Sequence, residues 1–116
     1  MATVQMQHIT IDCLDPKRVA EFWSAALGRD IVDDWGMFIR LAPDDAGVRM
    51  AFHQVPEDKA GKNRIHLDVS ADSREDAVVE LAALGATVVE DRSAEDFTWT
   101  VMLDPEGNEF CVAPPH

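Results

Sequence analysis

At 116 residues the chain is the length of one domain, able to bury one modest core. With 47% hydrophobic and 28% charged residues it reads as a soluble globular protein. No apolar run approaches the ~18–20 residues of a membrane helix. The start, Met1-Ala2-Thr3-Val4-Gln5-Met6, lacks the basic stretch and apolar core of a signal peptide, so a cytoplasmic setting is expected. The formal charge of −12 sets the chain against nucleic acid and anionic membranes, whose phosphates it would repel. That charge suits a cationic ligand or simply a solubilising acidic surface.

The chain opens with a strand over about Gln7–Cys13, where side-chain character alternates. Asp15-Pro16 then supplies an N-cap and a proline at the first helical position. Val19, Phe22, Trp23, Ala26 and Leu27 follow at spacings of three and four, the apolar face of a helix that Gly28 is placed to end. Three short strands are expected next, at about Asp30–Asp34, Gly36–Leu41 and Val48–Val55, with Asp44-Asp45-Ala46-Gly47 as a turn. A polar stretch with Pro56 and Gly61 links this half to a second one.

The second half repeats the first. His66-Leu67-Asp68-Val69-Ser70 follows His8-Ile9-Thr10-Ile11-Asp12 by 58 residues, and Ala82-Ala83-Leu84-Gly85 follows Ala25-Ala26-Leu27-Gly28 by 57. Its helix is expected to start from a capping box of Asp72 and Glu75 and to bury Ala77, Val78, Leu81 and Leu84. Strands are expected at about Thr87–Asp91, Thr98–Leu103 and Asn108–Ala113, with Asp104-Pro105-Glu106-Gly107 as a type I turn. The fold class is therefore α+β: two tandem β-α-β-β-β modules, at about 5–55 and 64–114 with a linker at about 56–63, whose sheets pair around an open cleft within one domain spanning 1–116.

Alternation decides which residues face away from the helices. Ile9 and Ile11 must face the helix, which leaves His8, Thr10 and Asp12 on the other side. By the same rule His66, Asp68 and Ser70 share a face with Glu109 and Cys111, and Arg49, Ala51 and His53 share one with His8. Such a polar face is ordinary for a solvated sheet. Two histidines at matching repeat positions nevertheless mark it as a candidate site. Trp35, Phe97 and Trp99 lie on or near middle strands and serve either the core or a ligand-stacking wall. Lys59, Lys62 and Arg64 make the linker the most basic segment, read as salt-bridging to the acidic surface or capturing an anion at the cleft mouth. Two cysteines make no disulfide framework, so Cys13 reads as a core thiol and Cys111 as a packed or reactive one. His116, at the terminus, is expected to be disordered.

This order of elements, with His8 and His66 opening the modules, resembles the vicinal oxygen chelate superfamily of glyoxalases, extradiol dioxygenases and fosfomycin- and bleomycin-resistance proteins. Ala20-Glu21-Phe22-Trp23-Ser24-Ala25-Ala26-Leu27-Gly28, Lys62-Asn63-Arg64-Ile65-His66-Leu67-Asp68-Val69 and Leu103-Asp104-Pro105-Glu106-Gly107-Asn108-Glu109-Phe110-Cys111-Val112 are similar to its glyoxalase-like subgroup of actinobacterial type. The resemblance implies a small-molecule substrate or ligand, a homodimer, and a divalent metal (zinc, nickel or manganese) held by His8 and His66 with an acid from each module's last strand. The acid positions hold Ala51 and Cys111. Three arrangements follow. His8, His66 and Cys111 would form a soft metal site, and His8, His66 and Glu109 a harder one, with Glu109 also the candidate proton carrier for a lyase or isomerase. In the third there is no metal, and the cleft sequesters a ligand through His53, Arg49, Asp68, Thr10 and Trp99, as bleomycin-resistance proteins do.

Overall fold

A computed structural model describes residues 3–115. Met1, Ala2 and His116 lie outside the described residues, and with them the expectation of disorder at His116. The first half runs β1 (His8–Cys13), α1 (Pro16–Leu27), β2 (Ile31–Asp34), β3 (Phe38–Leu41) and β4 (Arg49–Gln54). The second runs β5 (Leu67–Ser70), α2 (Arg74–Leu84), β6 (Thr87–Ala94), β7 (Phe97–Leu103) and β8 (Glu109–Ala113). The halves form two compact units that divide between Asp58 and Lys59. Each holds a four-stranded mixed sheet, ordered β1-β4-β3-β2 in the first and β5-β8-β7-β6 in the second. The first and last strands of each module pair in parallel, and the other pairs are antiparallel. This is the tandem βαβββ arrangement expected from the repeat.

In the first module the Asp15 side chain accepts a hydrogen bond from the Arg18 N–H at 3.2 Å, and Pro16 stands at the start of α1. Gly28 ends the helix in the left-handed conformation, with φ 66° and its N–H donated to the Ser24 carbonyl. Val19, Ala20, Phe22 and Trp23 are buried, as are Ile39, Leu41, Met50 and Phe52 on the sheet. Burying Phe22 and Trp23 alone contributes about 1.5–3 kcal/mol each. The expected face is one turn too long, because Leu27 is exposed at the helix end.

The second module departs further from expectation. The N-cap of α2 is Ser73, one residue beyond Asp72, and its hydroxyl accepts from the Asp76 N–H at 3.2 Å. Both residues can cap, but capping from Ser73 puts Glu75 and Asp76 in the first turn, where the helix dipole favours them. Only Leu81 of α2 is buried, and Leu84 is exposed. The core here comes chiefly from Met102, Phe110 and Val112. Strand β6 continues to Ala94 because it pairs with β7 as far as Ala94↔Phe97. Its polar Asp91-Arg92-Ser93 stretch, exposed throughout, hid that extension. Trp35 lies outside the strands and is exposed, not core.

Candidate functional site

The outer face of the second sheet carries a cavity of about 380 Å³, within the ~300–1,000 Å³ span of small-molecule sites. Alternation builds it. Met102, Phe110 and Val112 go to the core, so Phe97, Trp99, Val101, Cys111 and Ala113 line the cavity. Phe97 and Trp99 stand 6.2 Å apart, centroid to centroid, as an aromatic wall. His66, Asp68 and Glu109 form a polar end, and Lys62, Asn63 and Arg92 complete the lining.

Asp68 and Cys111 are direct partners across the β5–β8 register, and His66 lies two residues before Asp68, on the same face. The His66 Nε2 is 3.3 Å from Asp68 Oδ1. One ligand atom each from His66, Asp68 and Cys111 falls within 4.8 Å of the others. Burial, with the nearby Asp68 carboxylate, raises the Cys111 thiol above its ordinary pKa. Glu109 is held differently. Its carboxylate accepts from the Asn63 N–H at 2.9 Å and meets the Lys59 ammonium at 3.2 Å. Burial pushes the Glu109 carboxyl up, but the backbone N–H groups of Asn63 and of Glu109 itself, with Lys59, outweigh it and leave its pKa below the ordinary value.

The corresponding face of the first module carries the other expected residues. The His8 Nε2 is 3.4 Å from Arg40 Nη1, and Arg40 binds Asp33 at 2.6 Å. Arg49 reaches the same Asp33 oxygen at 3.5 Å. The His53 Nδ1 is 3.5 Å from Asp12 Oδ1. Thr10 is exposed beside its register partner Ala51, which is fully buried.

His66, Cys111, Asp68, Glu109 and Trp99 thus come together on the second module, while His8, Thr10, Arg49 and His53 belong to the first. Sequence reasoning placed Asp68 among ligand contacts. The Asp68↔Cys111 register makes it a potential metal ligand, a signal available only once the strand pairing is known. Phe97 and Lys62 stand among the alternatives for a stacking wall and a cleft mouth, whereas Arg92 and Asn63 are outside the expected site, although the same alternation, carried into β6, selects Arg92. In the first module the expected acid position offers no ligand. Ala51 has no side-chain donor atom, and Arg40 Nη1 stands 3.4 Å from the His8 Nε2.

Two tandem βαβββ modules of this topology define the vicinal oxygen chelate fold. The sequence matches the family described as the glyoxalase-like domain over residues 8–113, and the chain belongs to that family. Among solved structures it is similar to a glyoxalase/bleomycin resistance protein/dioxygenase family enzyme from Burkholderia phytofirmans PsJN, with 19% identity, 96% of this chain and 98% of that one covered, and a TM-score of 0.79. A glyoxalase-related enzyme from Fulvimarina pelagi shares 17% identity over 96% of this chain and 88% of its own, with a TM-score of 0.74. A possible glyoxalase from Bacillus cereus shares 17% identity over 96% and 99%, with a TM-score of 0.72. At such identities the likeness is one of fold. No curated protein matches the sequence.

Proposed function

We propose that this protein binds a small, partly aromatic molecule in the cavity of its second module, and does so without a metal. The cavity carries the reading. It joins an aromatic wall, Phe97 and Trp99, to a compact polar end where Asp68 and His66 can meet a donor on the ligand. The misfit at Ala51 and His8 supports the metal-free part. The resulting activity is sequestration of a ligand, as in the bleomycin-resistance branch of the fold. Glu109, already engaged by Lys59 and Asn63, fastens the linker at the cavity edge, and its lowered pKa makes it a weak base.

The reading extends to the whole molecule: one domain, since the family match runs through both modules, and a homodimer. Light scattering checks the second point against the 12.9 kDa of one chain. A cytoplasmic setting belongs to the same proposal; no helix among the described residues is long and apolar enough to cross a membrane.

A second reading rests on the grouping of His66, Asp68 and Cys111. Three such ligands with an open fourth position suit zinc, or nickel, better than manganese. A bound ion there would supply Lewis-acid polarisation of a substrate oxygen, the chemistry of a lyase or isomerase.

Ligand-observed NMR with a library of aromatic fragments, run in EDTA, tests the first reading. Hits that bind the native chain and are lost in Trp99→Ala are expected. Hits indifferent to Trp99, or none at all, would overturn it.

A further inference from the structure

The β6–β7 hairpin outruns its counterpart in the first module. There the pairing of β2 with β3 ends at Asp34↔Ile39, and Ile39 faces Phe52 on β4. Asp91↔Thr100, with Val112 beside Thr100 on β8, holds the matching place in the second module. Three further pairs follow it there, Arg92↔Trp99, Ser93↔Thr98 and Ala94↔Phe97. The cavity-lining residues Arg92, Phe97 and Trp99 all stand on this extension.

The extension lies beyond the body of the sheet. The pairing of β7 with β8 stops at Thr100↔Val112, so the hairpin past that point is two-stranded. No residue from Arg92 to Trp99 is buried, and the 2.8 Å contact between the Ser93 and Thr98 hydroxyls lies within the extension. Two strands alone are marginal in water. The placing of the Phe97 and Trp99 rings therefore depends on what grips the base of the hairpin.

A buried polar network sits at that base. Thr100 is 1% exposed and turns to the core side of β7 with Met102, opposite Trp99. Its hydroxyl donates to Asp91 Oδ1 at 2.6 Å and accepts from Arg74 Nη1, also at 2.6 Å. The same Arg74 nitrogen reaches Asp91 Oδ1 at 3.3 Å. Arg74 is the first residue of α2, and its side chain is 17% exposed. The hairpin base is thus bonded to the start of the helix. In the first module Lys17 and Asp34, each 57 residues earlier, also meet, at 3.2 Å, but on the surface. Fully buried Ile39 stands there where Thr100 does, so the core itself does not require a hydroxyl at this place. Directed hydrogen bonds, all satisfied, fix one orientation where apolar contact allows several.

We infer that Arg74, acting through Thr100 and Asp91, is a positioning residue: it sets the hairpin extension and with it the Phe97–Trp99 wall of the cavity. The inference rests on that cavity being the binding site. It brings into the site a helix that supplies none of the lining residues.

Thr100→Val removes the hydroxyl and keeps the side chain's shape, whereas Thr100→Ser keeps the hydroxyl. Both are compared with Arg74→Met and the native chain by amide hydrogen exchange and by affinity for 2-naphthol, an aromatic ring with one donor. In Thr100→Val and Arg74→Met, the paired amides between Arg92 and Trp99 should exchange about tenfold faster, the effect of one lost hydrogen bond, while the rest of the sheet keeps its protection. The same variants should bind 2-naphthol about fivefold more weakly or worse. Thr100→Ser should match the native chain in both measurements, and Lys17→Met, which breaks the first module's surface bridge, should change neither. Exchange that quickens equally at every amide, as plain destabilisation would cause, or not at all between Arg92 and Trp99, would overturn the inference. So would faster local exchange with unchanged affinity. Failure of the cavity reading shows separately, as 2-naphthol that does not bind or that Trp99→Ala does not weaken. The exchange pattern, which needs no ligand, then decides alone whether Arg74 sets the hairpin. Should Arg74→Met fail to fold, the Thr100→Val and Thr100→Ser pair decides.

Discussion

Replacing Asp104 by alanine removes the hub of the turn that sets β8, and with it Glu109 and Cys111, into register. Asp104 is 3% exposed. Its Oδ1 accepts from the Glu106 N–H at 2.9 Å and the Asn108 N–H at 3.0 Å, and its carboxylate also takes the Asn108 side-chain amide at 3.0–3.1 Å. The repeat supplies an internal control. Asp44 in the first module accepts from the Ala46 and Val48 N–H groups, both at 2.9 Å, but is less buried and, among the described residues, has no side-chain amide partner. Bonds to a charged acceptor are worth about 1.5–3 kcal/mol, and less where water can replace them. Asp104→Ala should therefore cost about 2–4 kcal/mol, and Asp44→Ala about 0.5–1.5 kcal/mol. Asp104→Asn, which keeps one acceptor oxygen, should fall between. Urea unfolding reads the difference as a midpoint lowered roughly 1–2 M by Asp104→Ala and by less than ~1 M for Asp44→Ala. Equal losses, or a larger one at Asp44, would refute the idea that burial and the Asn108 amide make the second turn the stronger.

Glu109→Gln should cost about 1–2 kcal/mol at neutral pH through its bonds to Lys59 and Asn63. Because folding lowers the Glu109 pKa, its contribution is full above the ordinary carboxylate range and disappears as pH falls through the folded value. Acid titration of the variant's stability should be correspondingly flatter, and an unchanged slope would contradict the assignment. At Cys111, alkylation by iodoacetamide should show a rate midpoint above that of an ordinary thiol, displaced to lower pH in Asp68→Asn. Cys13, only 3% exposed, should stay silent; a midpoint indifferent to Asp68 would separate the two groups.

Much of the fold was legible because the repeat and the alternation point the same way. Asp15-Pro16 and Gly28 bracket the first helix in sequence as they do in space. The parity that turns Arg49, Ala51, His53, Glu109 and Cys111 away from the helices leaves Met50, Phe52, Phe110 and Val112 to the core, and all four are buried. Errors fell where local signals compete or run out. Asp72 and Ser73 are both competent caps, so the boundary of α2 slipped by one residue. Leu27 and Leu84 continue the apolar pattern at the last residues of their helices, where both side chains are exposed. On the site, parity brought His66, Asp68, Glu109 and Cys111 to one face. It cannot say which neighbours touch, because that depends on register between strands far apart in sequence. Nor could it show that Lys59 and Asn63 fold back from the linker onto Glu109.

The proposed second-module site binds its ligand without metal. The most direct test measures the affinity of a fragment hit by calorimetry before and after exhaustive EDTA treatment, with elemental analysis of the same samples and His66→Ala as a control. Unchanged affinity in metal-free protein is the predicted result. Binding abolished by EDTA, restored by zinc or nickel at one ion per chain and absent in His66→Ala would contradict it and establish the metal-dependent reading instead.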